Sequence, residues 1–323
     1  MKIKNILVTG ASGKLGRNLI PELLKAGYNV RAVENNTPLN MSGVEVIKGK
    51  VEDEKFVDRA VSGMDAVCHL ASCKEDREKF IDVSIRGTFN LLDLSKKHNI
   101  KQFILAGGDA SIGIFFYPHA APLDENAPLI AYPGYYAFSK AMEEFMCAQY
   151  KGQYKLPITI LRMSWIFDAD DILNHLAINS TFGGPWASLA DPDQKAIIKQ
   201  KKEGVGCLLH CDGKPFIRHI VGIKDVVQSF MLSIGNAKTI GETFNVAGPS
   251  AFSYDVAAKY VKEKLGWPIL EFKSKEYFDF QINVTKARSI LGYTPEYDIF
   301  KIIDEAVEFR KKGKSSAPAN YKG

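Results

Sequence analysis

Tyr136 and Lys140 stand four residues apart in Tyr136-Ala-Phe-Ser-Lys140. On a helix, that spacing turns both side chains to one face. A phenol is a poor base at neutral pH, but a neighbouring ammonium favours its phenolate and lowers its pKa. Such a pair can take a proton from a carbinol as hydride leaves it, or return one in the reverse direction. Taken alone, the two residues read more readily as neighbours on an exposed helix face. What changes the balance lies upstream, in a segment suited to hold the hydride acceptor.

That segment is Thr9-Gly10-Ala11-Ser12-Gly13-Lys14-Leu15-Gly16. It follows an apolar run at 3–9, which reads as a strand, and opens an amphipathic stretch at 14–26, which reads as a helix ending at Gly27. Gly10 permits the sharp turn out of the strand. Gly13 lets the backbone approach a pyrophosphate, and Gly16 lets the helix pack close to the sheet. The helix N-terminus offers free N–H groups and the positive end of its dipole to phosphates. Gly10, Ser12, Gly13, Lys14, Leu15 and Gly16 are therefore the expected cofactor-binding residues of the turn. Glu34 ends the next strand, at 29–33, where the adenosine ribose should lie. A carboxylate there accepts from both ribose hydroxyls and repels a 2′-phosphate, so NAD is expected over NADP. Arg31 alternates to the opposite face and is a weak point for NADP.

Several other residues could carry chemistry. Arg218 could contact an anionic substrate group, or serve a structural salt bridge. His119, after Phe115-Phe116-Tyr117-Pro118, could be polar in a substrate pocket or lie in a surface loop. Asp168, Asp170 and Asp171 read as a solvated turn or helix cap rather than a metal cluster. The five cysteines are odd in number and scattered, which argues against a disulfide framework. Cys207-Leu-Leu-His210-Cys211 alternates as a strand does and runs into Asp212-Gly213, a hairpin signal; no metal is expected there.

These groups need a scaffold, and the chain of 323 residues is long enough for one large α/β domain with a smaller lobe. Strand-type runs at 3–9, 29–33, 44–47, 66–70, 102–106 and 158–161 alternate with helical ones at 14–26, 54–61, 80–97 and 136–150. That alternation predicts a doubly wound parallel sheet of Rossmann type, with helices on both faces. Residues 1–165 form this NAD-binding domain, with 218–247 returning to it. Residues 166–217 and 248–312 form a smaller C-terminal substrate-binding lobe, and 313–323 a flexible tail. Within the lobe, 183–204 and 259–286 should lie over the nicotinamide, and substrate should order them. The net charge of +5 is mild and partly in that tail, so no nucleic-acid partner is expected. No apolar run approaches a membrane span, and no secretory leader is read; the cytoplasm is the expected location.

The glycine spacing and the Tyr/Lys pair together resemble the extended short-chain dehydrogenase/reductases, specifically the NAD-dependent epimerase/dehydratase family. His69-Leu70-Ala71 resembles its segment beside the cofactor, which brings Leu70 and Ala71 into the expected cofactor site. Gly87-Thr88-x-Asn90-Leu91-Leu92 resembles its long-helix segment. Arg218-His-Ile-Val-x-Ile-x-Asp225 resembles the segment whose Arg contacts substrate phosphates. Lys286-Ala287 with Leu291-Gly292-Tyr293-x-Pro295 resembles its C-terminal element. The resemblance implies that Lys140 also holds the nicotinamide ribose, and that the helices at 80–97 and 136–150 pair two chains into a homodimer.

The chain departs from the family at a telling place. The Ser or Thr that bonds the reacting oxygen falls, counted back from Gly113, on Gly108. Ser111 or Asp109 could take its role, or water could. Related dehydratases carry an Asp-Glu pair where this chain has Asp109-Ala110, so 4,6-dehydration is disfavoured. Ser84 replaces an Asn before Gly-Thr, and Lys50 an Asp that contacts adenine. The expected function is hydride transfer at a carbinol of a sugar or nucleotide-sugar-like substrate, an epimerase or dehydrogenase. A non-catalytic NAD(H)-binding regulator and an NADP-dependent reductase of a small carbonyl compound are the alternatives.

Overall fold

The structure is a computed structural model that describes residues 1–113, 122–180 and 184–313. Apolar runs become buried strands and amphipathic runs become helices on either side of them. The order is β1 (Asn5–Thr9), α1 (Lys14–Lys25), β2 (Asn29–Glu34), β3 (Val44–Lys48), α2 (Glu54–Val61), β4 (Ala66–His69), α3 (Arg77–Lys79) and α4 (Gly87–Lys97). Between α3 and α4 the seven residues Phe80–Arg86 wind as a π-helix, so 77–97 is one helical rod with a widened middle. Then come β5 (Gln102–Gly108), α5 (Tyr135–Tyr154), β6 (Ile158–Met163), β7 (Trp165–Phe167), α6 (Asp171–Leu176), α7 (Trp186–Leu189) and α8 (Pro192–Lys199). The remainder is β8 (Val205–His210), β9 (Ile217–Arg218), β10 (Ile220–Gly222), α9 (Ile223–Ser233), β11 (Thr243–Val246), β12 (Phe252–Ser253), α10 (Tyr254–Leu265), β13 (Ile269–Ser274), β14 (Asp279–Phe280) and α11 (Ile299–Lys311).

Seven strands form one parallel sheet in the order β11-β6-β5-β4-β1-β2-β3. The Rossmann-type α/β fold read from the sequence is therefore the fold of the chain. β1 lies between β2 and β4, so the two halves wind away from a switch point at β1 and β4, and a crevice opens beyond their carboxyl ends. Leu15, Leu19, Ile20 and Leu23 of α1 pack with Val226 and Phe230 of α9 on one face. Phe56, Leu91, Leu92, Cys147 and Tyr150, from α2, α4 and α5, cover the other. A second apolar core gathers Phe167, Ile172, Trp186, Phe272 and Ile303, all from elements outside the large sheet.

Three differences from the sequence reading matter. β5 runs two residues further than expected, to Gly108, because Gly107 and Gly108 still pair with Arg162 and Met163 of β6. The turn at Asp212-Gly213 forms, with Gly213 at φ +90°, but β8 and β9 then diverge: β8 pairs with β13, and β9 with β12 and β14. The short strands β7, β12 and β14 carry too few residues to show alternation, so the sequence did not announce them. The tail beyond 313, the segment 115–119 with His119, and Gly183 lie outside the described residues.

Candidate active site

The glycine turn sits where β1 delivers it, at the switch point. Gly10 has φ +65°, and a Cβ there would lie 2.6 Å from the backbone nitrogen of Ala71. Leu70 and Ala71 are thus the floor beneath the turn. At Gly16 a Cβ would lie 2.4 Å from the carbonyl oxygen of Ala11, so the close packing is against the turn itself, not the sheet as expected. Gly13 caps α1 with no side chain, and the first turn carries no acid. The side chain of Leu15 is buried in the core, so Leu15 offers the turn its backbone. Ser12 donates to the carbonyl of Thr37 at 2.7 Å. Lys14 is paired to Asp171. Glu34 accepts from the amide of Leu39 at 2.8 Å, which folds the following loop back over the end of β2. Arg31 turns the other way, to Glu45 at 3.0 Å and to the carbonyls of Ala60 and Ser62. It offers nothing to a 2′-phosphate beside Glu34.

A buried hydroxyl chain fixes that floor. Thr9 Oγ1 accepts from the amides of Leu70 and Ala71, each at 3.2 Å, so its own proton points to His69 Nδ1 at 2.7 Å. His69 Nε2 then donates to Thr88 at 2.9 Å. Burial, with the field of Lys140, pushes His69 down to about 3, so the ring is neutral and this tautomer is the one the chain requires. Gly87 and Asn90 serve the neighbouring loop: Gly87 packs on Val51, and Asn90 donates to the Val51 carbonyl at 3.1 Å.

Helix α5 brings the Tyr/Lys pair to the carboxyl end of β5. A Cβ at Gly108 would lie 3.5 Å from the Tyr136 hydroxyl and 3.7 Å from Lys140 Cγ. Position 108 is therefore beside the phenol, and it holds no side chain. Lys140 is buried; its ammonium donates to the carbonyl of Ala106 at 3.1 Å and to Glu143 at 2.8 Å. Ser111 does not stand in for the missing hydroxyl. It is fully buried, and its Oγ is turned to the Gly108 carbonyl and to Glu144, both at 2.9 Å. Glu144 is held in turn by Arg162.

Three residues here escaped the sequence reading. The ammonium of Lys74 lies 3.6 Å from the centre of the Tyr136 ring. Burial and the ammonium groups of Lys140 and Lys14 push Lys74 down to about 8. Glu75 accepts from the amide of Tyr135 at 2.8 Å and so caps α5 from another loop, where Gly134 at φ +146° offers no side chain. Glu143 is the buried counter-ion of Lys140. The signal for the first two was their place just after His69-Leu70-Ala71; for Glu143 it was the helical step of three from Lys140.

The side of the cleft toward the second core is polar and aromatic. Asp109 is buried, and Ser164 lies 3.0 Å from its Oδ2. Burial pushes the Asp109 carboxyl up to about 6, against the pull of Arg218, Ser164 and Lys74. The guanidinium of Arg218, also buried, lies 4.4 Å from the centre of the Trp165 ring. The acidic cluster is pinned rather than solvated: Asp171 on Lys14, Asp168 on Asn18, Asp170 on Arg310. These bonds tie α6 to α1 and α11. Cys207 is buried in β8, and Cys211 donates to the carbonyl of Ser274.

The profile of the NAD dependent epimerase/dehydratase family matches residues 6–174. The chain belongs to that family. Among curated relatives, it is 25% identical over 316 residues to the uncharacterized UDP-glucose epimerase YtcB of Bacillus subtilis, covering 90% of this chain and 92% of that one. Among solved structures, a short-chain dehydrogenase/reductase superfamily protein of Agrobacterium tumefaciens with bound NAD superposes with a TM-score of 0.83 at 23% identity, over 96% of this chain and 98% of that one. UDP-glucuronic acid 4-epimerase of Bacillus cereus, in complex with NAD, gives a TM-score of 0.73 at 21% identity, over 95% and 99%.

NAD is the cofactor of this epimerase/dehydratase family, and the residues present fit it. The first turn of α1 is uncapped, Gly10 and Gly13 leave room for a pyrophosphate, and Lys14 and Lys74 lie close enough to each other to interact. An anion between two such lysines relieves their mutual repulsion. Glu34 stands at the end of β2 for the adenosine ribose, and Leu70 and Ala71 form the wall below. Among the described residues, no helix is long and apolar enough to cross a membrane.

Proposed function

We propose that this chain catalyses reversible hydride transfer at a carbinol of a sugar or nucleotide-sugar-like substrate, as an epimerase or a dehydrogenase. NAD, when bound, supplies the hydride acceptor and donor. The observation that carries the reading is the Tyr136 hydroxyl beside the vacant position at Gly108. A carbinol oxygen entering that space meets a phenol with Lys74 over its ring and Lys140 along its helix. Tyr136 takes the carbinol proton as the hydride leaves and gives it back on return. With Gly108 bare and Ser111 turned away, Asp109 or water is left as the donor to the reacting oxygen. Asp109 and Arg218 hold the remainder of the substrate, Arg218 against an anionic group. Ala110 stands where a dehydratase has its second carboxylate, so elimination is disfavoured.

The working molecule in this proposal is a cytoplasmic homodimer. Ile81, Phe89, Phe138 and Phe145 are each about half exposed on 77–97 and α5, a contiguous pair of helices. A groove of about 830 Å³ runs there between Leu129, Pro133, Phe138, Met142 and Phe145. Burying such a surface against its own copy is the simplest way to remove it from water. The lobe over the cleft includes 184–204 and 259–286, and substrate orders it.

The test is a panel of sugars, sugar acids and sugar nucleotides incubated with NAD, read by NADH absorbance and by mass spectrometry of what co-purifies with the native protein. Tyr136→Phe keeps the ring and removes the hydroxyl. It should retain NAD binding and lose about 10²–10⁴-fold in turnover. Near-normal turnover in that variant would overturn the assignment.

A further inference from the structure

The ammonium groups of two lysines bear on the ring of Tyr136, and they do so unequally. Lys74, in the loop after β4, lies 3.6 Å from the ring centre, whereas Lys140, on α5, lies 5.7 Å from it. Lys140 is also drawn away. Its ammonium donates to the Ala106 carbonyl at 3.1 Å and to the fully buried carboxylate of Glu143 at 2.8 Å. A cation that close to a counter-ion acts on its surroundings as one end of a dipole, and its field falls off faster than that of a lone charge. His69 and Lys74 still feel Lys140. The Tyr136 ring has Lys74 nearer.

A cation over the ring suits the ionised tyrosine best. The neutral ring attracts it through its quadrupole alone. A phenolate adds a full negative charge, spread from the oxygen into the ring beneath the ammonium. Lys74 is half-buried, so water screens that attraction poorly. Burial and the ammonium groups of Lys140 and Lys14 hold Lys74 down to about 8, so it is charged at neutral pH. A negative charge on Tyr136 relieves that crowding. Other groups packed about the ring pull the opposite way or stand neutral. Glu75 accepts from the Tyr135 amide, and Asp109, just after β5, acts on Lys74; both carboxylates oppose a phenolate. Tyr132, before α5, is raised by burial and is neutral, and Arg218 acts on Tyr132 and Asp109.

We infer that Lys74 is a positioning residue for the proton of Tyr136, the stronger of two cations that make this phenol acidic enough to serve as a base. Its use in catalysis rests on the reading of Tyr136 as acid/base given above. On ionisation the O–H bond of Tyr136 breaks, its electron pair stays on the oxygen and the proton passes to solvent. The phenolate then accepts the carbinol proton. A phenol brought closer to neutrality is ready for that transfer in more of the molecules. The loop after β4 thus does two things for one helix: Glu75 fixes where α5 begins, and Lys74 sets the charge its tyrosine can hold.

The experiment reads the phenol directly and needs no substrate. The full chain, with and without NAD, is titrated from about pH 6 to about pH 11 by the ultraviolet absorbance of tyrosinate, a span that covers the phenol range. Subtracting the same titration of Tyr136→Phe isolates Tyr136, and circular dichroism follows the fold at each step. Tyr136 should ionise below the usual phenol value of about 10. Lys74→Met should move that ionisation up by about one to three pH units, and Lys74→Arg, which keeps the charge, should restore it. Removing the other pair as a unit, Lys140→Met with Glu143→Gln, should move it less than Lys74→Met does. If the paired variant does not fold, Lys74→Met against Lys74→Arg decides alone. An ionisation that stays in place in Lys74→Met, or that moves further in the paired variant, overturns the inference. A phenol that answers to Lys74 in a protein that oxidises no sugar upholds it and sinks the hydride-transfer reading. Where turnover is found, the acidic limb of its pH profile should move with the phenol in Lys74→Met; an equal loss of rate at every pH would make Lys74 merely structural.

Discussion

At Gly108 the chain has removed a side chain from the most chemical point of its cleft. The space is real: a Cβ there would make ordinary contacts at 3.5 Å and 3.7 Å with Tyr136 and Lys140. Gly108→Ser should therefore fold normally, its backbone at φ −153° being open to any residue. It should raise the rate of NADH formation by placing a hydroxyl beside the phenol in place of water. A thermal melt and an initial-rate assay check the two halves; a slower variant would mean that substrate needs the room. The sharp turn at Gly10, the shared helix of Tyr136 and Lys140 and the bare position at Gly108 were legible in the sequence, because each depends on spacing along the chain, whereas Gly16 packs on the turn rather than on the sheet. The environment of those residues was not. Ser111 looked available, but the fold turns its hydroxyl to the Gly108 carbonyl and to Glu144 of α5. Lys74 and Glu75 came to the site only when their loop met α5, and Glu143, one helical step from Lys140, became a buried counter-ion only when α5 packed on the sheet.

At the scale of elements, α5 is held by a loop it does not belong to. Glu75 bonds the Tyr135 amide, so the loop that carries Lys74 also sets where the first turn of α5 begins. Glu75→Ala should cost about 1 kcal/mol of stability, as the loss of a helix cap does. It should also let Tyr136 drift, lowering turnover more than the stability loss explains. Glu75→Gln keeps an acceptor oxygen and should recover most of both. Urea unfolding and steady-state rates on the two variants separate the effects; equal turnover in Ala and Gln would show that the cap does not position the tyrosine. The long strands and helices were predictable to within a few residues from their periodicity. The π-wound stretch Phe80–Arg86 was read as plain α-helix, since its residues repeat at helical spacing and its extra width comes from packing.

At the scale of the molecule, the half-exposed Ile81, Phe89, Phe138 and Phe145 are the surface on which the proposed homodimer rests. Replacing Phe138 and Phe145 together with Glu should give a monomer by light scattering at micromolar concentration, with NAD binding retained, because neither side chain contributes to the glycine turn. A wild-type monomer at that concentration would contradict the dimer. The parallel sheet with helices on both faces follows from strand–helix alternation, which the sequence displays. The second core does not follow in the same way, because β7, β9, β10, β12 and β14 are two or three residues long, and all its strands find their partners far along the chain.

The place of β11 has a consequence for how the protein is made. Thr243–Val246 closes the β6 edge of the sheet, yet it leaves the ribosome only after the first part of the second core, from β7 to β10, has been synthesised. Until then β6 presents a row of unpaired backbone groups, an invitation to strand addition by another chain. The amide of Gln102 deepens the problem. Buried in β5, it donates to the Ser233 carbonyl at 2.9 Å and accepts from the Gly235 amide at 2.8 Å. A nascent chain that stalls before residue 233 therefore carries both an open edge and a buried amide short of partners. Such a chain is a substrate for chaperones, and the finished sheet is a late event in its biosynthesis.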